Sequence, residues 1–367
     1  MKFSYYLNPQ PNNDNNRNFI NELLLQVVLA EKLQFSDVWL TEHHFTGYNV
    51  YSDPIILASA ITQRAPLLNI GFSVNVAPFH HPIRFVTQMN LLDQLTQGKI
   101  TVGIGPGNSA DEFNGYGLNV KDRHDIMHEF IKIALQAWEA KEGFEYSGKY
   151  YNGKVQGRII PTSIQKPFPK IAIASTTPER LEWIGSNGWS ILLGPQSPEV
   201  VASRIKYFMD GMTKANLSEN KKLIAWNNTS VLRQIYVTQN SKNWETEINQ
   251  EIHNYIVKSS LANTGEGDLP KSHYETRKQA YIEGGWLIAG TPEQVYEKLV
   301  PFAEMGLANL LCWFNFGGMN HKKVSDSMEL FSKHIMPELS KIKLKKGIIE
   351  KITSKKIILN KGLQRIP

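Results

Sequence analysis

The sequence predicts a (β/α)8 barrel, because eight short apolar segments alternate with longer segments of helical periodicity. The chain has 367 residues, of which 41% are apolar, so it can bury one large α/β core. A doubly wound sheet is the alternative. It would normally carry a glycine-rich turn after its first strand, whereas residues 8–16 contain no glycine. The barrel is therefore favoured, with insertions after its fourth and seventh strands.

The predicted elements follow one another along residues 1–338, which we interpret as one barrel domain. The strands are predicted at 2–7, 37–41, 68–77, 99–105, 170–175, 189–193, 230–237 and 309–314. The helices are predicted at 18–33, 54–64, 83–96, 125–141, 178–186 and 198–215, then from the GTPEQV segment onward, and finally at 322–339. Pro54 suits a first helical turn, and Gly98 suits the end of a helix. The segment FEYSGKYYNGKV predicts an inserted hairpin.

Basic residues are concentrated at the C-terminal end of the chain. The net charge is +6, but residues 341–367 contain eight Lys, one Arg and one Glu, so residues 1–340 carry −2. The net charge of the barrel therefore does not suggest a nucleic-acid-binding face, and no nucleic-acid partner is expected. We separate residues 339–367 as a basic tail in which lysines and isoleucines are interleaved. Such a tail predicts either a solubilising extension or a segment that docks on an acidic carrier protein, with an anionic membrane as the competing target.

The sequence predicts neither export nor membrane insertion. Cys312 is the one cysteine, so no disulfide can form within the chain. The N-terminal segment turns polar after seven residues, too soon for the apolar core of a signal peptide. The longest apolar segments have strand length, far short of a membrane span. We expect a cytoplasmic protein.

Ionisable and glycine-rich segments follow several of the predicted strands. The carboxyl ends of all strands in a barrel meet at one rim, where active sites lie. The segments are EHH after strand two, HHP after strand three, GIGPGNS after strand four, ASTTPE after strand five and WFNFGG after strand eight. The sequence therefore predicts one site at this rim.

The EHH segment allows three interpretations: a metal site, a proton-transfer site or a structural cluster. Adjacent residues of an extended segment point to opposite sides, so His43 and His44 cannot easily share one ion. Glu42 and His44 can point together, but two ligands do not make a zinc site. We expect no metal. His80 is expected to hydrogen-bond backbone groups in the turn before Pro82.

Two further rim segments have both a structural and a functional interpretation. The GIGPG segment lacks the spacing of a dinucleotide fingerprint; it predicts either a tight turn or the close approach of backbone to a flat ligand. Ser175, Thr176 and Thr177 precede a helix that begins at Pro178. Their hydroxyls can simply cap this helix, or they can bind a phosphate together with the free N–H groups at its positive end.

The chain resembles the bacterial luciferase-like, flavin-dependent monooxygenases over roughly residues 1–338. Four segments carry the resemblance in this order: VWLTEHHF, HPIRFVTQMNLLDQLTQGKITVGIGPG, IAIASTTPERLEWIGSNGW and GTPEQVYEKLVPFAEMGLANLLCWF. The resemblance implies a luciferase-like (β/α)8 barrel, a homodimer and FMN at the carboxyl rim of the barrel.

The resemblance also implies roles for individual residues. His43 is expected to be the catalytic histidine, with Glu42 and His81 as further active-site residues. The residues expected to bind the cofactor are Ser73, Val74, Asn75, Gly105, Ser175, Thr176 and Thr177, the last three at its phosphate.

Two details of the cofactor site follow from the same resemblance. A cis peptide bond is expected between Ser73 and Val74. Pro106 stands where some relatives place an arginine that reaches the phosphate. Phosphate binding is therefore expected to depend more on the segment after strand five, or on Arg123 and His124.

The activity implied is that of a two-component monooxygenase. A separate flavin reductase would supply reduced FMN (FMNH2), and this chain would use O2 to oxygenate a small organic or carrier-bound substrate. A histidine, with an ordinary pKa of about 6.5, can give or take a proton near neutrality, which is the role expected of His43. Residues 258–289 follow strand seven, where the family carries a mobile lid that would exclude water.

Three alternatives remain open at this point. The first is an oxidoreductase of the same superfamily that uses the deazaflavin F420. The second is a flavin-binding protein without catalysis, and the third is a metal-dependent barrel hydrolase. The chain shows no NAD(P)H fingerprint, which agrees with reducing power supplied by a separate reductase. Trp313, Phe314 and Phe316 either line the substrate pocket or pack in the core.

Overall fold

Eight parallel strands form a closed barrel, which confirms the predicted fold. The computed structural model describes residues 1–11, 15–240, 243–264 and 269–344. The barrel strands are β1 (Lys2–Leu7), β2 (Asp37–Leu40), β3 (Asn69–Phe72), β4 (Ile100–Gly105), β5 (Lys170–Ala174), β6 (Ser190–Leu193), β7 (Ser230–Val237) and β8 (Asn309–Trp313). Each strand pairs with the next, and β8 pairs with both β7 and β1, which closes the barrel.

Helices follow the strands and surround the barrel. They are α1 (Asn16–Lys32), α2 (Pro54–Arg64), α3 (Pro82–Leu95), α4 (Ala110–Gly115), α5 (Arg123–Glu139), α6 (Pro178–Ser186), α7 (Pro198–Lys214), α8 (Glu219–Asn227), α9 (Trp244–Glu247), α10 (Asn249–Thr264), α11 (Lys271–Glu283), α12 (Pro292–Glu304), α13 (His321–Leu330) and α14 (Met336–Lys341). A π-helical turn, Phe331–Ile335, joins the last two. Capping hydrogen bonds set the first residue of several helices. Asp53 caps α2, and Thr291 forms a capping box with Gln294 at α12.

The elements that the sequence did not predict lie mostly in the two insertions. Helix α4 lies in the segment after β4, and α9, α10 and α11 follow β7. A short strand, Leu287–Gly290, pairs in parallel with the last four residues of β7. The predicted hairpin is present as Phe144–Ser147 paired with Asn152–Val155. Helix α8, between α7 and β7, was also missed because it is too short and polar to show a clear periodicity.

A polar layer crosses the interior of the barrel near the amino ends of the strands. Ser4 Oγ lies 2.9 Å from Asp37 Oδ2 and 2.7 Å from Asn309 Oδ1, and Asn309 Nδ2 donates to Ser230 Oγ over 3.0 Å. Side chains alternate along a strand, so every second residue beyond this layer also faces the interior. Even-numbered residues of β7 and odd-numbered residues of β8 therefore point into the barrel.

The C-terminal helix packs on the barrel domain. It ends at Lys341, beyond the predicted boundary at 338, and Leu339 within it is buried. Residues 345–367, most of the basic tail, lie outside the described residues, so the separate tail and its docking role stay predictions. No helix in the described ranges is long and apolar enough to cross a membrane.

Candidate active site

Glu42 lies at the centre of a buried cluster just beyond β2. Its Oε1 is 3.0 Å from His44 Nε2, and its Oε2 is 2.8 Å from His80 Nε2. The backbone N–H of Val76 donates to the same Oε2 over 2.6 Å. The prediction that Glu42 and His44 point together is confirmed. The backbone role predicted for His80 is wrong, because its ring meets the carboxylate of Glu42, a partner 38 residues away in sequence.

The pKa values of this cluster describe an ion pair. Burial raises the pKa of Glu42, but the positive charge of His80 and the hydrogen bonds that the carboxylate accepts outweigh burial and lower the pKa to about 2. Burial lowers the pKa of His80, and the Glu42 carboxylate outweighs it, so the pKa lies above the ordinary 6.5. Glu42 is therefore a carboxylate at ordinary pH, and His80 keeps its proton to a higher pH than a free histidine.

The ring of His43 turns to the other side, as predicted for neighbouring residues of an extended segment. Its Nδ1 lies 3.1 Å from Oε1 of Glu112, and its ring packs edge-on against Tyr48 with 4.9 Å between centroids. We assign the proton to Nδ1, because an ionised carboxylate can only accept. The neutral ring then carries a lone pair on Nε2. Among the described residues, Glu112 is its hydrogen-bond partner, so Nε2 is left for a ligand.

Glu112 is a site residue that the sequence analysis missed. It lies in the first turn of α4, is 1% exposed, and also accepts the backbone N–H of His44 over 3.0 Å. Ser109 and Glu112 have the spacing of a capping box, which is a signal for a helix start in this segment. In a capping box the glutamate reaches back to its own helix. Here the carboxylate holds His43 instead, and that contact follows only from the tertiary fold.

His44 links the buried cluster to the surface. Its Nε2 faces Glu42, and its Nδ1 lies 3.1 Å from the hydroxyl of Tyr116, a side chain that is 43% exposed. Phe45, also exposed, has a positive φ of 65° and packs its ring against Tyr116 with 5.3 Å between centroids. His44 therefore stabilises the segment that carries His43 and stands apart from the open Nε2.

The structure does not bring His81 to Glu42 or His43. His81 is exposed at the start of α3, where its Nε2 lies 3.5 Å from the hydroxyl of Tyr146 on the hairpin. Its ring packs edge-on against Tyr151 at 5.7 Å. A catalytic role for His81 stays a prediction, and its contacts in the structure are with the hairpin.

The segment after β3 carries the predicted cis peptide bond between Ser73 and Val74. Asn75 is 1% exposed, and its Nδ2 donates to the carbonyl of Gly103 over 3.1 Å. Its Oδ1 is buried and has no hydrogen-bond partner among the described residues. A Cβ at Gly105 would come within 2.5 Å of Val74 Cγ2, so a side chain at this position would displace Val74. These residues, which were predicted to bind the cofactor, therefore lie together, with one acceptor oxygen unused.

The turn between β5 and α6 presents hydroxyl groups. Ser175 Oγ is buried and has no hydrogen-bond partner in the part of the chain that the structure describes. Thr177 occupies the N-cap position of α6 but makes no side-chain capping bond, and Thr176 is exposed. The first N–H groups of a helix have no partner within the helix itself. Hydroxyls that do not cap α6 are available to a ligand.

Positive charge borders the same turn. Burial, together with the charges of Arg180 and Arg123, lowers the pKa of His124 to about 4. Arg180 lies in the first turn of α6, and Arg123 begins α5. The buried Nδ1 of His124 has no hydrogen-bond partner within the described ranges. Guanidinium groups and the hydroxyls of the turn at a helix N-terminus are groups that suit a phosphate ester.

Helix α10 lies over the β7–β8 side of the rim. Asn254 Nδ2 donates to the carbonyl of Gly317, in the segment after β8, over 3.1 Å. A Cβ at Gly317 would lie 1.9 Å from the carbonyl oxygen of Glu251, so glycine is required for this approach, and its φ is 65°. Tyr255 of α10 lies 6.4 Å from Tyr48 between ring centroids. Helix α10 overlaps the start of the segment predicted as a lid, 258–289, and Tyr255, which precedes that segment, reaches the ring that packs on His43. The lid itself stays a prediction.

The chain matches the family model of luciferase-like monooxygenases over residues 1–309. It is 20% identical to the oxygenase component of the flavin-dependent trigonelline monooxygenase of Acinetobacter baylyi, over 94% of this chain and 97% of that protein. It is 25% identical to an alkanal monooxygenase alpha chain of Photorhabdus luminescens, and there the chain spans only about half of the relative, 53% of each.

Solved structures with the same fold include proteins that hold different cofactors. The TM-score is 0.76 to the FMN complex of the oxygenating constituent of 3,6-diketocamphane monooxygenase from Pseudomonas putida, at 17% identity over 94% of this chain and 99% of that one. It is 0.72 to an F420-dependent secondary alcohol dehydrogenase with an F420-acetone adduct, at 15% identity over 92% and 99%. At these identities the similarity shows the fold. Because the family model covers most of the sequence, the chain belongs to the luciferase-like monooxygenase family.

Proposed function

We propose that this chain is a monooxygenase that takes reduced FMN from a separate reductase and uses O2 to oxygenate a small organic substrate. One observation carries the proposal: the phosphate-fitting turn at 175–177 and the proton-transfer pair His43–Glu112 lie at the same rim of the barrel. Membership of the luciferase-like monooxygenase family supports the reaction class. Reduced FMN, when bound, would supply the electrons that activate O2.

The unused polar atoms at the rim support the choice of residues that would hold the cofactor. The hydroxyl of Ser175, the Nδ1 of His124 and the Oδ1 of Asn75 are buried and have no hydrogen-bond partner among the described residues. In this proposal the phosphate is held by Ser175, Thr176, Thr177, Arg123, His124 and Arg180, and the ring system by Ser73, Val74, Asn75 and Gly105. The guanidinium groups replace the arginine that some relatives carry at the position of Pro106.

His43 would move the proton that the oxygenation requires. Its Nε2 can accept a proton from a bound ligand and return it, while Glu112 holds the ring in one orientation and stabilises the protonated form. Helix α10, packed over the mouth through Tyr255, would keep water from this proton and from the reacting atoms.

The reductase is a partner of this chain in the proposal. The sequence has no dinucleotide fingerprint with which to take electrons from NAD(P)H itself. A relative that matches over nearly its whole length is named as an oxygenase component. We expect both components in the cytoplasm, as the sequence predicts.

Hydride transfer with F420 is the second candidate function. Its specific support is the fold, which matches the F420-dependent alcohol dehydrogenase almost as well as the FMN complex. Both cofactors carry a phosphate, so the turn at 175–177 fits either. Direct comparison of the two reduced cofactors in a binding titration separates the candidates.

The double variant Ser175→Ala, Thr176→Ala is expected to weaken FMNH2 binding by about tenfold or more, because hydrogen bonds to a charged phosphate are lost. An anaerobic titration measures the affinity. Reduced riboflavin, which has no phosphate, is the control ligand and should bind both proteins equally. Thr213→Ala, which removes a hydroxyl from the exposed face of α7, is the matched control variant. Unchanged FMNH2 affinity in the double variant would place the phosphate elsewhere.

We also propose that the chain forms a homodimer through α2 and α3. The two helices pack side by side and expose apolar side chains: Ile56 is 71% exposed, Leu91 51% and Leu95 45%. A second copy of the same face would bury them. Leu91→Glu is expected to shift the chain from dimer to monomer in analytical ultracentrifugation. Leu223→Glu, at an equally exposed leucine on α8, should leave the dimer intact; dissociation by both variants, or by neither, would contradict this interface.

A further inference from the structure

Two buried hydrogen-bond donors lie side by side in the carboxyl-terminal halves of β7 and β8. Gln234 and Trp313 are partners in the strand register, four residues beyond Ser230 and Asn309, whose side chains bond to each other inside the barrel. Because side chains alternate between the two faces of a strand, both of these side chains point into the barrel interior. Gln234 is 0% and Trp313 is 3% exposed. Neither Gln234 Nε2 nor Trp313 Nε1 has a hydrogen-bond partner among the described residues.

Tyr281 fixes the amide of Gln234 in one orientation. Its hydroxyl, on α11, donates to Gln234 Oε1. Burial raises the pKa of Tyr281 well above its usual value, so the hydroxyl keeps its proton and remains a donor. Because Oε1 is occupied in this way, the amide presents its N–H groups as its free side. Tyr281, in the segment predicted as a lid, therefore leaves the Gln234 N–H groups as the groups that face a ligand.

Aromatic rings surround the two donors. Trp313 lies 5.5 Å from Tyr6 and 5.4 Å from Tyr255 between ring centroids. Tyr255 lies 5.0 Å from Tyr281 and 6.4 Å from Tyr48, and Tyr48 packs on His43. These rings form a continuous wall from the catalytic histidine to the two donors. We call the group Tyr6, Tyr48, Gln234, Tyr255, Tyr281 and Trp313 the aromatic chamber.

The aromatic chamber is electrically neutral. Burial raises the pKa values of Tyr6 and Tyr255 well above their usual range, so their hydroxyls stay un-ionised. None of the six side chains is charged at neutral pH. A cationic ligand would find no carboxylate in this group to compensate its charge. The chamber therefore suits a neutral ligand with flat apolar faces.

We propose that the aromatic chamber binds a neutral aromatic substrate through its carbonyl oxygen, which accepts hydrogen bonds from Gln234 Nε2 and Trp313 Nε1. Buried donors without an acceptor are unfavourable, and a carbonyl oxygen with two lone pairs satisfies two donors at once. The inference rests on the proposed function, because it assigns a substrate class to the same site. It makes Gln234 and Trp313 specificity-determining residues and Tyr281 a positioning residue.

Two probes that differ by one oxygen test the proposal: 1-indanone and indane, the same bicyclic skeleton with and without a carbonyl group. Their affinities are measured by calorimetry on the full chain without flavin. The wild-type protein is expected to bind 1-indanone about tenfold or more tightly than indane, the gain from two hydrogen bonds. Equal affinity for the two probes, or binding of neither, would overturn the proposal.

Variants then locate the donors. Trp313→Phe keeps a ring against Tyr6 and Tyr255 but removes the N–H, and should weaken 1-indanone binding by about three- to tenfold without changing indane binding. Gln234→Glu keeps the acceptor for Tyr281 and replaces the amide donor, with the same expected direction. Trp138→Phe is the matched control, because that indole N–H is satisfied by Asn90 at 2.9 Å and lies outside the chamber.

A parallel titration with FMNH2 separates this proposal from the function it rests on. If Trp313→Phe weakens FMNH2 binding and leaves 1-indanone binding unchanged, the donors serve the cofactor and the substrate proposal is wrong. If the protein binds no FMNH2 but still discriminates between the two probes, the proposed function fails while the chamber stands as a carbonyl site. Should Gln234→Glu fail to fold in circular dichroism, Trp313→Phe decides alone.

Discussion

Replacing His43 by alanine is expected to lower turnover by about a hundredfold or more, the usual scale for the loss of an acid–base group. The ring is the one that Glu112 orients, and its Nε2 is left for a ligand. Binding of FMNH2 should change far less, because the turn proposed to hold the phosphate lies between β5 and α6. Turnover is measured with FMNH2 supplied by a free reductase, and binding by anaerobic titration.

Two neighbouring variants check the assignment to His43. His44→Ala should reduce stability more than turnover, because His44 bonds to the buried Glu42 and to Tyr116. Glu112→Gln keeps the shape of the side chain but loses its charge; it should lower turnover moderately and shift the pH profile of kcat, which a purely structural residue would not do. Loss of turnover in His44→Ala with normal turnover in His43→Ala would show that the two rings have been assigned the wrong roles.

Replacing Glu42 by alanine is expected to lower the free energy of unfolding by about 3–5 kcal/mol, the scale for breaking a buried ion pair by removing one partner. The protonated ring of His80, the ring of His44 and the N–H of Val76 would each lose their acceptor, and the carboxylate that they share is buried. Denaturant unfolding followed by circular dichroism measures the change.

The pH dependence of this loss follows from the two pKa shifts. The pKa of Glu42 is lowered, so its contribution is present above the ordinary value of 4.5 and is lost as the pH falls toward about 2. The pKa of His80 is raised, so its contribution is present below the ordinary 6.5 and is lost as the pH rises through the raised value. The pair stabilises the fold most between these two ordinary values.

The difference in unfolding free energy between wild type and Glu42→Ala should therefore be larger near pH 5.5 than near pH 8.5, about one unit or more on either side of the ordinary histidine pKa. His80→Asn, which keeps a neutral hydrogen-bond donor, is the matched variant and should flatten this dependence on the alkaline side. A loss below about 1 kcal/mol at the lower pH would mean that solvent reaches Glu42 and that the cluster is not a buried ion pair.

The barrel could be predicted from the sequence because its signals are local. Parallel strands buried on both faces appear in a sequence as continuous apolar segments, and seven of the eight were predicted to within one residue at each end. The third was predicted at 68–77 but ends at Phe72, just before the cis peptide bond. Helix starts carry their own chemistry, such as Pro54 in the first turn of α2 and Pro178 in that of α6, and both helices have the predicted bounds. In contrast, the strand Leu287–Gly290 exists because it pairs with β7, and nothing within its own four residues indicates that pairing.

The site was predicted in part, for the same physical reason. The opposite directions of His43 and His44 follow from strand geometry and could be derived from their adjacency. The partner of His43 is 69 residues away, in a helix of six residues inside a polar insertion, and so Glu112 was missed. His80 was given a local backbone role because sequence patterns describe near neighbours, whereas its ring bonds to Glu42 across two strands. The chamber donors Gln234 and Trp313 become visible only through the register of β7 and β8.

The most direct test of the central claim is one anaerobic titration of the full-length protein with FMNH2, oxidised FMN and reduced F420, each followed by calorimetry. The account predicts saturable binding of FMNH2, weaker binding of oxidised FMN and no comparable binding of reduced F420. Tighter binding of reduced F420 than of FMNH2 would instead establish a hydride-transfer enzyme on this barrel, and failure of all three to bind would contradict the assignment of the rim as a flavin site.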